Sequence, residues 1–126
     1  YHPERAMGTL MCHSRHRAHA NPFDKPGEED ITAHVDFSSL AEAAIEAGLE
    51  VLGYANQAQF LVNCGITEVL EQANVENALH YAPLAAEAQK LLSPAEMGDL
   101  FKVIALGKGV PGPLLGFTLA DKTSTL

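Results

Sequence analysis

The sequence predicts an α/β fold, and three observations carry it. A helix signature runs straight into a strand over residues 37–55, a β-branched and aromatic run recurs at 101–107, and a helical stretch lies between them. The elements follow in order. GTLMCHSRHRAH tolerates an extended backbone and ends at the turn signal Asn21-Pro22, so residues 9–16 read as a strand. NPFDKPGEED carries two prolines and a glycine among charges, the composition of a surface loop. DITAHVDF then reads as extended. Side chains two apart share a face of a strand, so Asp30, Thr32, His34 and Asp36 line one side and Ile31, Ala33, Val35 and Phe37 the other. One face is suited to chemistry and the other to burial.

SSLAEAAIEAG predicts a helix. Ser39 with Glu42 has capping-box spacing, Phe37, Leu40, Ala44 and Ala47 form the apolar stripe, and Gly48 closes it. LEVLGYA, residues 49–55, is the strand that follows. Asn56 with Gln59 caps a second helix that ends at Gly65, and more helix runs from Thr67, with a break expected before Pro83. Ser93-Pro94-Ala95-Glu96 reads as another short helix start, FKVIALG (101–107) as a strand, and LLGFTL as a last strand.

At 126 residues and 47% hydrophobic content the chain is long enough to bury a core and contains no repeat. Sixteen acids against eight Lys and Arg give a net charge of −8, which argues against a nonspecific hold on nucleic acid or anionic lipid. The charge is uneven. Arg5, Arg15 and Arg17, with four of the histidines, precede the acidic run Asp24, Glu28, Glu29 and Asp30, so the basic residues either form a partner-facing patch or are neutralised by that run. Cys12 and Cys64 have no C-x-x-C spacing and are expected to stay unbridged, as in a reducing cytoplasm. No apolar run is long enough for a spanning helix, and with neither an initiator Met nor a signal-peptide shape the chain reads as part of a longer protein.

Three motif readings compete. GKGVPG at 107–112 has the letters of a dinucleotide-binding turn, but Pro111 lacks an N–H and Pro113 follows, so a hairpin or surface loop is the better reading. Cys12, His13, His16, His19, His34 and Asp36 are ligand types for a metal, yet no H-x-H or H-E-x-x-H spacing is present and no metal site is expected. Ser14 and Ser38 sit in no nucleophile elbow.

Four ordered blocks, GTLMCHSRHRAH, PGEEDITAHVDF, QAQFLVNCGI and EMGDLFKVIAL, resemble the C-terminal part of the MidA-like family of S-adenosylmethionine-dependent methyltransferases, which includes a mitochondrial complex I assembly factor that methylates arginine. The family pattern falls on Gly8, His16, His19, Pro26, Gly27, Asp30, Thr32, Asp36, Phe37, Gln57, Phe60, Gly65, Met97, Gly98 and Phe101. Two positions depart from it. Bacterial relatives carry tyrosine at the place of His13, and the mitochondrial relative an acid at that of His34.

The resemblance implies that residues 1–126 are the C-terminal part of a class I, Rossmann-like methyltransferase domain. Residues 37–66 would be helix-strand-helix, 67–100 a helical insertion and 101–126 a terminal strand or hairpin, with 101–107 returning antiparallel to the strand 49–55. It implies S-adenosylmethionine as cofactor, bound in an N-terminal part that this chain lacks, so that the chain alone is inactive. It also implies a protein substrate methylated on arginine, with a respiratory-chain subunit among the candidates, while the charge and the thiols noted above lead us to expect no nucleic-acid or membrane partner and a cytoplasmic location. On the substrate side it points to Asp30 and Asp36, which could hold a guanidinium and take its proton, with His16 nearby. The plain structural alternative is that Asp36 caps the helix and Asp30 ties down the loop. Two other functions compete: a non-catalytic module that docks a partner through helices 67–92, and a His/Asp metal-dependent enzyme.

Overall fold

The computed structural model describes residues 8–15, 17–73 and 78–126, and the chain forms two compact units, Tyr1–Ser39 and Leu40–Leu126. Its architecture is mixed α/β with two small antiparallel sheets.

In the first unit, β1 (Met11–Ser14) lies between β2 (Arg17–His19) and β3 (Asp30–Thr32). The single strand expected over 9–16 turns back on itself. Ser14 pairs with Arg17 across a two-residue loop, and Arg15 takes the left-handed conformation (φ 44°) that such short hairpin loops require. The register sets Cys12 against His19 and Ile31, and His13 against Ala18 and Asp30. The segment between β2 and β3 is the surface loop its composition predicts. The Asn21 side chain accepts the Phe23 N–H at 3.2 Å, and Glu28 N–H reaches Lys25 O at 3.1 Å. DITAHVDF departs from expectation, because only its first three residues join the ladder as an edge strand. Ile31 and Val35, placed on the side expected to be buried, are 58% and 52% exposed.

Helix α1 spans Phe37–Glu46. Asp36, not Ser39, is its cap: the carboxylate accepts the Ser39 N–H at 3.1 Å and the Ser39 Oγ–H at 2.9 Å. The helix starts one turn before the expected Ser39–Glu42 box, so Ser39 is the third helical residue and supplies the amide being capped. The inward stripe is Phe37, Ala41 and Ala44, while Leu40 and Ala47 are exposed. At its end Gly48 (φ 79°) donates to Ile45 O and Leu49 to Ala44 O, the paired bonds of a Schellman motif.

In the second unit β4 (Glu50–Asn56) and β5 (Lys102–Gly107) pair antiparallel, as the resemblance implies, with a bulge between Val51 and Gly53. Helices α2 (Gln57–Asn63), α3 (Ile66–Gln72) and α4 (Ala78–Leu92) lie between them in sequence. Asn56 caps α2, accepting the Gln59 N–H at 3.0 Å. Pro83 lies inside α4 instead of ending a helix. It is the sixth residue, so its ring deletes only the bond that would reach back to the first turn. Ser93–Glu96 begins no helix. The Ser93 carbonyl accepts both Glu96 and Gly98 N–H groups and folds the chain into turns after α4. LLGFTL forms a 3-10 turn at Leu115–Phe117, not a strand. The outer edge of β4 is already engaged, since Tyr54 N–H donates to Asp121 Oδ1 at 3.0 Å and Tyr54 O accepts from Lys122 N–H at 2.7 Å.

The core of this unit is built on rings against glycines. Phe60 and Phe117 meet at 5.4 Å between centroids with a 57° tilt, and a Cβ on Gly53 would collide with the Phe117 ring. Asn63 donates to Gly116 O and Leu119 O, both at 2.9 Å, and so fixes the segment that delivers Phe117.

Candidate functional site

Alternation along paired strands gives the first unit's sheet two chemically distinct faces. One carries His13, Asp30 and Thr32, and it is tied internally: His13 Nε2 and Thr32 Oγ1 lie 3.1 Å apart, and Thr32 Oγ1 donates to Met11 O at 3.4 Å. The other face carries Cys12, Ser14, Arg17 and His19. It floors a cleft of about 510 Å³ lined by Ser14, Arg15, Arg17, His19, Asp24, Lys25 and Glu29. A second hollow of about 390 Å³ is lined by His13, Ser14, Arg15, Glu28, Glu29 and Asp30 with Gly27.

At the base of the larger cleft, Cys12 Sγ, a ring nitrogen of His19 and a carboxylate oxygen of Glu29 lie within 4.8 Å of one another. Cys12 is fully buried, and the Glu29 side chain is only 5% exposed. His19 Nε2 stands 2.8 Å from Glu29 Oε2, but off the line of a directed N–H bond, so the contact is electrostatic. The donor types are those of zinc. The outer bond is not. Asn21 N–H donates to His19 Nδ1 at 3.3 Å, which leaves the proton of a neutral ring on Nε2, whereas a metal-bound imidazole donates outward from its second nitrogen. We read the cluster as a His19–Glu29 pair over a buried thiol.

The residues expected from the sequence are distributed differently. Asp30 lies on β3 opposite His13 and lines the smaller hollow; Asp36 lines neither hollow and caps α1. The Ser39 N–H and then the Ser39 hydroxyl hold the Asp36 carboxyl below its usual range. The His34 side chain is exposed, and its backbone N–H donates to Thr9 Oγ1 at 2.9 Å. His16 lies outside the described residues. On one uninterrupted strand the even spacing of His13 and His19 would put them on one face; the hairpin puts them on opposite faces and brings Cys12 beside His19 instead. Glu29, Asp24 and Lys25 entered the sequence reading only as charge. The signal that could have found their cleft was a two-residue turn at Arg15, which sets the cross-strand register.

Cys12 and Cys64 are both free. GKGVPG is an exposed bend with Gly109 and Gly112 in the left-handed region, followed by no α-helix. The second unit has a shallow groove of about 470 Å³ lined by Leu70, Ala85, Ala88, Gln89, Leu92, Ser93 and Pro94, with no titratable side chain. Among the described residues no helix is long and apolar enough to cross a membrane.

Comparison with known proteins agrees with the four sequence blocks. The family described as "Putative S-adenosyl-L-methionine-dependent methyltransferase" matches residues 1–55. A crystal structure from Burkholderia thailandensis bound to S-adenosyl-homocysteine is 55% identical over the whole of this chain and superposes with a TM-score of 0.89. A native structure from the same organism shares that identity and TM-score. The mitochondrial protein arginine methyltransferase NDUFAF7 homologue of Drosophila melanogaster is 29% identical over 118 residues. The chain is thus similar to MidA-like S-adenosylmethionine-dependent methyltransferases, through the family model over residues 1–55 and through the solved structures along its whole length. It covers 87% of itself but 27% of the Drosophila relative, and 33% and 34% of the two solved structures.

Proposed function

We propose that this chain is the C-terminal part of a class I methyltransferase that transfers a methyl group from S-adenosylmethionine to an arginine of a protein substrate. The observation that carries the reading is 55% identity along the entire chain to a structure bound to S-adenosyl-homocysteine. The sheet of the second unit supports the topology. β5 is apolar at four successive positions, Val103 to Leu106, and half-buried along its length, as a strand covered on both faces would be. The Tyr54 backbone points to Asp121 and Lys122, so that of its partner Ile104 points to the opposite edge, open to a further strand. In this reading residues 37–66 are a helix-strand-helix, 67–100 a helical insertion and 101–126 a terminal segment.

The described residues do not fit the cofactor. A nucleoside-binding turn needs free N–H groups opening a helix after a strand, but β4 passes into α2 at Asn56-Gln57 without glycine, and the loop after β5 carries Pro111 and Pro113. We place the cofactor site outside this chain and the substrate side within it. Asp30, whose carboxylate makes no hydrogen bond or ion pair among the described residues, is the proposed holder of the guanidinium, since a carboxylate takes that fork in two parallel bonds. Asp36 and His16 are its proposed neighbours. Asp36 acts first as the helix cap. The free thiols accord with a reducing cytoplasm.

Calorimetric titration with S-adenosylmethionine is the direct test. The full-length protein is expected to bind it and to methylate protein arginine, and this chain alone to do neither. Micromolar binding by the 126 residues alone would displace the site, and no binding by the full-length protein would end the reading.

A further inference from the structure

The larger cleft of the first unit has a charge opposite to that of the chain. Arg15, Arg17 and Lys25 line it together, and among the described residues none of the three has an ion pair or a side-chain hydrogen bond. Its two acids are not equivalent. Glu29 is buried against His19 and Asp24 is exposed, so three cations face two acids here in a chain of net charge −8, although Arg15 also borders the smaller hollow with Glu28 and Asp30.

Three consequences follow from that balance. A guanidinium entering the cleft would meet three like charges at close range, so the acceptor arginine does not belong there. An anion is favoured. The open guanidinium groups of Arg15 and Arg17 present forked donors suited to carboxylates, and Lys25 adds a mobile ammonium. Arg15 is also anchored at the tip of the two-residue hairpin loop in a left-handed conformation, which limits where its backbone can carry the side chain. Nucleic acid is the less suitable polyanion, because the acids elsewhere on the chain would repel an extended backbone of phosphates.

We infer that this cleft binds an acidic segment of the protein substrate, through Arg15, Arg17 and Lys25, and so selects arginines that have Asp or Glu in their flanking sequence. The inference rests on the reading of the protein as an arginine methyltransferase, but binding can be measured without turnover. The probe is a fluorescein-labelled peptide with one arginine and four flanking Asp or Glu residues, followed by anisotropy against the full-length protein. Its controls are the same peptide with Asn and Gln replacing the acids, and a single-stranded oligonucleotide of equal charge.

The acidic peptide is expected to bind at least tenfold more tightly than the neutral one, and to weaken at least tenfold in the variant carrying R17E and K25E. The milder variant with R17Q and K25Q should fall between. Tightness should decline as salt rises from about 50 to 200 mM. Circular dichroism melts confirm that each variant is folded, and the R17Q and K25Q pair keeps the test available if charge reversal unfolds the hairpin. Equal binding of acidic and neutral peptides, an unchanged affinity in both folded variants, or stronger binding of the oligonucleotide would overturn the inference. Methylation by the wild-type protein with no preference between the peptides would leave the enzymatic reading intact and refute this one. Preferential binding without methylation would do the reverse.

Discussion

The first unit closes a short sheet over one sulfur atom, and the second closes one over two aromatic rings. From residue 8 to 39 the only buried apolar residue among the described residues is Cys12, and the strands are three or four residues long. From 40 to 126 the strands are seven and six residues long, Phe60 meets Phe117, and glycines at 53 and 116 admit the rings. The first unit instead concentrates charge: its larger cleft is lined by three cations and two acids with His19. A small apolar core gives low local stability, and a functional surface can be drawn from such a region where a packed core cannot. The second unit has the packing of a scaffold, and the first has the small core and concentrated charge that the proposed binding role would use.

The two free thiols, one in each unit, allow the sharpest test of that contrast. Cys64 is exposed and Cys12 fully buried, so a thiol reagent should modify Cys64 at once and Cys12 about 10²-fold more slowly, the factor imposed by a local opening of about 3 kcal/mol. Mass spectrometry of labelled peptides over time reads both rates. If Cys12 reacts only at the rate of global unfolding, the first unit is as well held as the second and the contrast fails.

Next in size is Phe117→Ala, which removes a buried ring and half of the aromatic pair. It should cost about 3 kcal/mol and lower the melting temperature of the second unit by about 10 °C or more. The labelling rate of Cys12 should not follow it if the units open separately. Asn56→Ala is smaller. It deletes the cap of α2 and a 2.8 Å bond to Asp99, and about 1 kcal/mol is the expected loss in denaturant titration. A loss below about 0.3 kcal/mol would show that the cap is redundant with the bond that Gln57 makes to Leu91 O.

What could be read from the sequence divides along the same line. Local signals survived, namely Gly48 at a helix end, Asn56 with Gln59 at a helix start and the two main strands, while the pairing of those strands came from the resemblance and not from any local pattern. Pro83 and Ser93-Pro94 misled because a proline near the start of a helix is tolerated and a serine carbonyl can fold turns as readily as its side chain caps a helix. The cleft was not legible for another reason. It depends on which residues of β1 and β2 face each other, and a single strand read through Arg15 assigns every later side chain to a face without that register. DITAHVDF showed the reverse fault, because regular alternation was assumed for eight residues of which three are in the ladder.

The smallest expected effect concerns Asp36, where a helix cap and a proposed substrate neighbour coincide. Hydrogen bonds from Ser39 lower the carboxyl in the folded chain below its ordinary value of 3.8. A carboxyl depressed on folding contributes stability that is fully present above the unfolded value and is lost as pH falls through the folded one. The contribution should therefore be constant from pH 5 to 8 and fade only below about pH 4. Asp36→Asn keeps an acceptor for the Ser39 amide, so α1 should persist at pH 7 with a melting temperature within about 3 °C of the parent, while the acid-sensitive part of the melting curve flattens. Asp36→Ala should lower the melting temperature further, at all pH values. In the full-length protein, turnover per folded molecule then separates the two roles. If Asp36→Asn keeps full turnover, Asp36 is a cap and nothing more, and the substrate side narrows to Asp30. If turnover collapses while the melt stays near the parent, the carboxylate that caps α1 also acts on the substrate, because the amide would have preserved the helix but not the charge.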